Sequence, residues 1–390
     1  MRVLVDVTTW VPGRTGIGLY TERLLRALSE LDAGDELLLA SNLADDDVDI
    51  AGKRLGPVMP LRALWMQTAM AAHAARERPD VAFFPNYVAP LASTWAHSCP
   101  TVVTVHDMAV FLHPDTFTFK KRVLQRRLLP SLLRHTDAIL TPSEATRRDL
   151  LRLLPVDPRR VVAIPLAADP AYHAPISDVD RAAVRRRFEL PARYLLAVST
   201  LEPRKNLVRL IRAFEQVWPD HPDVKLILVG GKGWRDAGIA EALRQSTARA
   251  GIEALGYVEF DDLRALYAEA LALCYPSLYE GFGLPVIEAM ACGAPVLVSR
   301  GSSLDEVAGD AALQVDPRNT DEIAAGLRRL LQEPELRADL SARGRVRAAT
   351  FSWARTAALT RAVFERVAGG ALPSPEDSPL PRQEDAQCLP

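Results

Sequence analysis

The sequence predicts an α/β protein made of two tandem parallel-sheet domains that are covered by helices and face a central cleft. Three observations carry this. A chain of 390 residues is too long for one ordinary core and suits two domains of up to about 200 residues each. Short β-branched runs alternate with longer helical patterns, as parallel sheets require. The alternation weakens between Ala167 and Pro191 and then begins again, which places a linker at residues 171–192 between domains at 1–170 and 193–350.

In chain order, Arg2 to Asp6 reads as a buried strand, Gly18 to Leu31 as a helix and Glu36 to Ala40 as a strand. A helix from Leu61 to Arg76 leads to strand Val81 to Phe84. Strand Thr101 to Val105, helix Lys120 to His135, strand Ala138 to Thr141, helix Glu144 to Leu153 and strand Val161 to Pro165 complete the first domain. One basic helix, Val179 to Phe188, occupies the linker. The second alternation has strands at Tyr194 to Ser199, Lys225 to Gly230, Leu271 to Pro276 and Pro295 to Ser299, with helices at Leu207 to Trp218 and Asp321 to Leu331. A last helix spans Trp353 to Val367, within residues 351–368. The tail at 369–390 is rich in proline and acid and poor in large apolar groups, so disorder is expected there.

Bulk properties narrow the function. A net charge of -2 argues against nucleic-acid binding through overall positive charge. Cys99, Cys274, Cys292 and Cys388 lie far apart, with no pair at zinc or redox spacing, so reduced thiols in a cytoplasmic protein are expected. Nowhere do eighteen apolar residues run together, and the opening MRVLVDVTTW reads as a strand rather than a signal peptide. Helix Lys120 to His135 carries Lys121, Arg122, Arg126, Arg127 and Arg134 among leucines, which suits a surface helix or peripheral docking on anionic lipid.

The most informative segment is YPSLYEGFGLPVIEAMACGAPVL. A strand ends near Ser277, a glycine turn follows, and a helix runs from Pro285 to Gly293. Backbone N–H groups of Gly281, Phe282, Gly283 and Leu284 at that helix N-terminus would bind an anion, and a diphosphate suits. Glu280 before the turn and Glu288 one turn into the helix bracket this place, although a Glu near a helix N-terminus also pairs with the helix dipole without a ligand. In LLAVSTLEPRKNLVRLI, Arg204 and Lys205 occupy another strand-to-helix loop, where two cations would neutralise a diphosphate or simply face water. Gly16 and Gly18 open a helix after the first strand, without the full spacing of a dinucleotide fingerprint. His106, beside Asp107, is expected to be exposed at the carboxyl edge of strand Thr101 to Val105, there to meet a donor sugar, orient an acceptor or cap local backbone. Asp45, Asp46 and Asp47 lack supporting ligands, so no metal is expected.

Taken in order, these four segments resemble glycosyltransferase family 4, and the likeness spans most of residues 1 to 368. Glu280 and Glu288 enclosing GFGLPVI look like the family's E-x7-E motif, and PRKN is nearly as telling. The resemblance implies a GT-B fold of two Rossmann-like domains and a retaining, metal-independent transfer of a hexose from a nucleotide-sugar. Arg204 and Lys205 would bind its pyrophosphate, Glu288 the ribose, Glu280 with the backbone of Phe282 and Gly283 the hexose, and His106 would face the sugar. The base pocket maps onto Gly230 to Gly233 and Gly256 to Glu259, and the last helix would return to the first domain. One departure is Asp305, where the family has proline before Glu306-Val307. VHDMAVFLHPDTF is most similar to enzymes of bacterial surface polysaccharide synthesis, which favours GDP-mannose as donor and a glycan or lipid-linked glycan as acceptor. A UDP-sugar donor with a small-molecule acceptor and a non-catalytic sugar-nucleotide-binding subunit are the alternatives, and the oligomeric state is not readable.

Overall fold

Each half of the chain solves the same problem, a set of strands apolar on both faces that must be covered by amphipathic helices. The computed structural model describes residues 1–11, 16–31, 33–42, 49–56, 59, 61–91, 99–231, 233 and 236–373, without the side chains of 120 and 121. The aspartates at 45, 46 and 47 and most of the tail lie outside that range.

One unit comprises Met1–Phe111, Phe119–Leu166 and the segment that begins at Ser352. Its strands are β1 (Arg2–Asp6), β2 (Glu36–Ala40), β3 (Lys53–Leu55), β4 (Val81–Phe84), β5 (Thr101–Thr104), β6 (Ala138–Thr141) and β7 (Val161–Ala163). They form one parallel sheet in the order β3-β2-β1-β4-β5-β6-β7. Val3 sits between Leu37 and Val81, and β4 to β6 are buried throughout. Helix Gly16–Glu30 and the final helix Trp353–Ala368 pack together on this unit, with Phe364 against Phe83 at 5.1 Å between ring centres. Thr356 donates its hydroxyl to the carbonyl of Pro165 at 2.7 Å.

The other unit comprises Leu112–Thr118 and Ala167–Phe351. Its sheet is also parallel, in the order β10-β9-β8-β11-β12-β13. The strands are β8 (Arg193–Val198), β9 (Val224–Val229), β10 (Ile252–Gly256), β11 (Ala272–Tyr275), β12 (Val296–Ser299) and β13 (Leu313–Val315). One face of it shares a core with helices Leu207–Glu215 and Thr320–Gln332 through Leu210, Ile211, Phe214, Ile323, Leu327 and Leu330.

Several expected elements differ. The helix expected from Leu61 to Arg76 is two, Arg62–Gln67 and Ala69–Glu77, broken at Thr68, whose hydroxyl bonds back to the Leu64 carbonyl and competes with the helical ladder. The helix from Leu207 stops at Glu215 and gives way to a 3-10 turn at Trp218–Asp220, where Pro219 withholds an amide donor. The first helix begins at Gly16 rather than Gly18. Strands β10 and β13 and helices Ala237–Gln245, Phe260–Glu269 and Pro334–Ala349 have no counterpart in the sequence reading. The last of these buries only Leu340, Gly344 and Ala348, too narrow an apolar stripe to register.

Candidate active site

In the second unit the carboxyl ends of β8, β9, β10, β11 and β12 carry the loops singled out by sequence. The loop after β8 closes as a 3-10 turn, Pro203–Lys205, and Asn206 ends it in the left-handed conformation at φ 62°. Asn206 fixes the loop. Its amide donates to the carbonyls of Pro276 at 2.9 Å and Pro317 at 2.6 Å, and the backbone N–H of Leu278 donates to the Arg204 carbonyl at 2.9 Å. The loop after β8 is thereby tied to the segments that follow β11 and β13.

These ties bring Arg204 and Lys205 onto Glu280. Arg204 donates through Nη1 to Glu280 Oε2 at 2.8 Å and to the Tyr279 carbonyl at 2.7 Å, and through Nη2 to Glu202 Oε1 at 2.7 Å. Lys205 Nζ donates to Glu280 Oε1 at 2.7 Å and to the Tyr275 hydroxyl at 2.9 Å. The two cations are therefore engaged by carboxylates, where the sequence reading left them facing a diphosphate or water. Burial pushes the Glu280 carboxyl up, but Arg204 and Lys205 together outweigh it and hold its pKa at about 2. Burial and the Arg204 charge lower the Lys205 pKa against the pull of Glu280.

After Glu280 the chain turns through Gly281 to Gly283 into helix Leu284–Cys292, one residue earlier than expected. Gly283 has φ 106°, a conformation that a side chain resists, and it aims the helix N-terminus of Leu284 and Pro285. Ser303 donates its hydroxyl to the carbonyls of Glu280 and Phe282 and holds the turn from behind. Asp305, the departure from the family pattern, makes the local turn itself by accepting the N–H of Gly301 at 2.8 Å.

Glu288 does not join the cations. It is buried on the first turns of the same helix and accepts the Tyr267 hydroxyl at 3.0 Å. Burial raises its pKa to about 7, the Tyr267 bond opposing. Its protonation state therefore changes near neutrality. Gly230 and Gly256 meet, the N–H of Gly230 donating to the Gly256 carbonyl at 2.7 Å. Gly230, at φ 142°, has no room for a side chain, because a Cβ would lie 2.0 Å from the Ser199 carbonyl oxygen.

Gly16, Gly18 and His106 belong to the first unit. Gly16 and Gly18 lie in the first turn of their helix. His106 is half-buried rather than exposed, because its ring packs edge-on against Tyr20 at 4.8 Å. Its Nε2 lies 2.7 Å from the Pro85 carbonyl, which can only accept, so Nε2 carries the proton and Nδ1 is left as an acceptor. Burial lowers its pKa, which favours this neutral form.

Two family models divide the chain. Glycosyltransferase Family 4 matches residues 14–172, and Glycosyl transferases group 1 matches residues 180–347. O-antigen chain mannosyltransferase B of Escherichia coli is 33% identical over 360 residues, covering 87% of this chain and 93% of that protein. The chain belongs to glycosyltransferase family 4. Among solved structures, the sucrose-phosphate synthase of Thermosynechococcus elongatus is similar at a TM-score of 0.76, with 22% identity, over 95% of this chain and 100% of that one. Anabaena HepE in complex with UDP-glucose is also similar. For that complex the TM-score is 0.75, at 17% identity and 94% and 99% coverage. The transferase thus has the GT-B fold of two parallel-sheet α/β domains.

Several residues that shape the transferase's second unit were missed by sequence reading. Glu202, Tyr275, Asn206 and Tyr267 hold Arg204, Lys205, the loop and Glu288 respectively. Only Asn206 had a signal, as the last letter of PRKN. His113, expected to be a plain loop residue, stacks 5.8 Å from Tyr279, and burial, then Arg318 and Arg204, lower its pKa. Among the described residues no group of His, Cys, Asp or Glu is placed to hold a metal, and no helix is long and apolar enough to cross a membrane.

Proposed function

We propose that this glycosyltransferase moves mannose from GDP-mannose, with retained anomeric configuration, to a hydroxyl of a glycan or lipid-linked glycan in surface polysaccharide synthesis. The observation that carries the chemistry is the convergence of Arg204 and Lys205 on Glu280 beside a helix N-terminus. A donor diphosphate entering there takes over the two cations. Glu280 then turns to the sugar hydroxyls and Glu288 holds the ribose. As the sugar bond breaks, charge grows on the leaving phosphate, where preorganised cations lower the barrier most. That phosphate takes the acceptor's proton, so no carboxylate need act as nucleophile. Mannose is favoured by the likeness to the E. coli O-antigen enzyme.

The donor is tested by thermal unfolding with GDP-, UDP- and dTDP-sugars. A ligand at 100 times its Kd stabilises the folded state by about 2.7 kcal/mol, so GDP-mannose is expected to give the largest rise in Tm. A larger rise with a UDP-sugar would replace the donor, and no rise with any of them would overturn the reading.

We also propose that helix Phe119–His135 rests on an anionic membrane surface. Phe119, Leu124 and Leu128 are exposed on it beside Arg126 and Arg127, which is how an interfacial helix is built. The protein is expected to sediment with phosphatidylglycerol vesicles at low salt, and Arg126→Glu with Arg127→Glu to remain in the supernatant. Equal sedimentation of the two proteins would remove this role.

A further inference from the structure

A pocket of about 150 Å³ opens in the second unit, where the chain after the 3-10 turn Pro170–His173 meets the C-terminal end of helix Leu284–Cys292. Its walls include Tyr172, His173, Arg181, Cys292 and Arg345. It lies at the far end of that helix from Gly283, and none of these residues belongs to the proposed diphosphate site. Pockets for drug-sized ligands run to about 300–1,000 Å³, so this one suits something smaller.

Two arginines line this space without an acidic partner. Arg181, on the first turn of helix Asp178–Arg187, donates through Nε to the Ile176 carbonyl at 3.3 Å. Arg345 donates through Nη1 to the Ala291 carbonyl at 3.3 Å and through Nη2 to the Cys292 carbonyl at 3.1 Å. Neither makes an ion pair among the described residues. A guanidinium has five N–H donors, so most of those on each remain for a ligand. Arg264 brings a third positive charge. It donates to the carbonyl of Ala174, another wall residue, at 3.3 Å, and its Nε is buried without a hydrogen bond among the described residues. Its contact with the exposed Asp261 is a loose 3.7 Å. Burial pushes the Cys292 thiol up to about 12, with Arg264 and Arg345 both opposing and Glu288 adding to it, so two of the three charges converge on that wall.

The acidic groups nearby are engaged elsewhere or turned to solvent. Asp169 accepts the N–H of Ala171 at 2.8 Å, Asp180 accepts the Ser177 hydroxyl at 2.6 Å, Glu269 pairs with Arg185, and Glu288 takes the Tyr267 hydroxyl. Asp178 is exposed. The carboxyl end of a helix repels an anion, but Arg345 covers two of the last carbonyls here. Forked arginine donors match the oxygens of a phosphate bidentately. We propose that this pocket binds a phosphate group, either inorganic phosphate or the phosphate of a small ester. Arg181 and Arg345 make the forked contacts, His173 stands at the rim, and Arg264 contributes charge from behind Ala174.

The test titrates inorganic phosphate and glycerol 3-phosphate into the full chain. Phosphate would also be drawn to Arg204 and Lys205, so GDP is present throughout to fill the proposed donor site. The local readout is the His173 ring in NMR, assigned with His173→Gln. Burial of part of that ring, then the Arg345 charge, lower its pKa, and a bound anion is expected to raise it. Both probes are expected to shift the resonance saturably, and the tighter one identifies the source of the phosphate. Arg181→Ala is expected to weaken binding about tenfold or more, the loss of a hydrogen bond to a charged group. Arg345→Lys keeps a cation at the helix end but not the fork, and is expected to weaken it as well, with Tm showing that both variants fold. A saturable shift that neither substitution weakens, no shift with either probe, or binding that vanishes once GDP is added would overturn the site. If GDP itself fails to bind, the donor reading falls, while the dependence on Arg181 still decides this one.

Discussion

Arg204→Ala is expected to lower kcat by about 10²- to 10³-fold at saturating donor, the loss that follows removal of one preorganised group from a developing negative charge. The side chain also holds two buried carboxylates, Glu202 and Glu280, and the Tyr279 carbonyl. Removing one partner of a buried ion pair costs about 3–5 kcal/mol, because the other charge is left uncompensated. Turnover must therefore be measured per folded molecule, with thermal unfolding alongside. Arg204→Lys separates the two effects. It keeps a positive charge for the diphosphate, but a single ammonium cannot reproduce the fork that spans Glu202 and Glu280. Partial recovery of turnover with little recovery of Tm is expected. Wild-type kcat in folded Arg204→Ala would remove the residue from the reaction.

Glu280→Gln is expected to act in two opposite directions. The amide has nearly the shape of the carboxylate but not its charge, so Arg204 and Lys205 would face the site without their counter-ion. The nucleoside diphosphate product, GDP on the proposed reading, is then expected to inhibit at a concentration about tenfold lower, while turnover falls about a hundredfold because the sugar loses a charged acceptor. Weakened product inhibition together with wild-type turnover would contradict the exchange of Glu280 for the diphosphate. The same variant has a pH signature. The folded pKa of Glu280 is lowered to about 2 from 4.5, so its contribution to stability is present above pH 4.5 and is lost as pH falls through the folded value. A shift of that size corresponds to about 3 kcal/mol. Wild type should therefore exceed Glu280→Gln in stability at pH 6, and the gap should close between pH 4.5 and 2. A gap that stayed constant over this range would assign the difference to packing instead.

The fold was legible in the sequence because buried parallel strands announce themselves as short apolar runs. Arg2–Asp6, Glu36–Ala40, Val81–Phe84 and Ala138–Thr141 have the bounds read from the chain. Where the burial pattern is mixed the signal fails: Ile252–Gly256 alternates with exposed residues, and Leu313–Val315 is only three residues long. The candidate site was legible as a set of loops and not as a set of bonds. Glycine, proline and charge at strand ends point to Arg204, Lys205 and Glu280. That a carboxylate 76 and 75 residues away in sequence already spans both cations depends on how two loops are pinned, which no local pattern encodes. The exposure of His106 was misjudged for a related reason, since the ring that covers it, Tyr20, lies 86 positions away on another element. The Tyr20 hydroxyl is itself fixed by Thr104 across a sequence separation of 84.

The single amide of Asn206 has a further consequence for motion. By holding the carbonyls of Pro276 and Pro317 it makes the exits from three strands share one fastening, and they can loosen only together. In hydrogen exchange, the amides of Lys205, Leu278 and Asn319 should then open as one cooperative unit and slow as one when ligand binds. On the proposed reading, a donor arriving there meets a surface with little freedom left to surrender, so the entropy of ordering the loops is spent in folding rather than at each encounter.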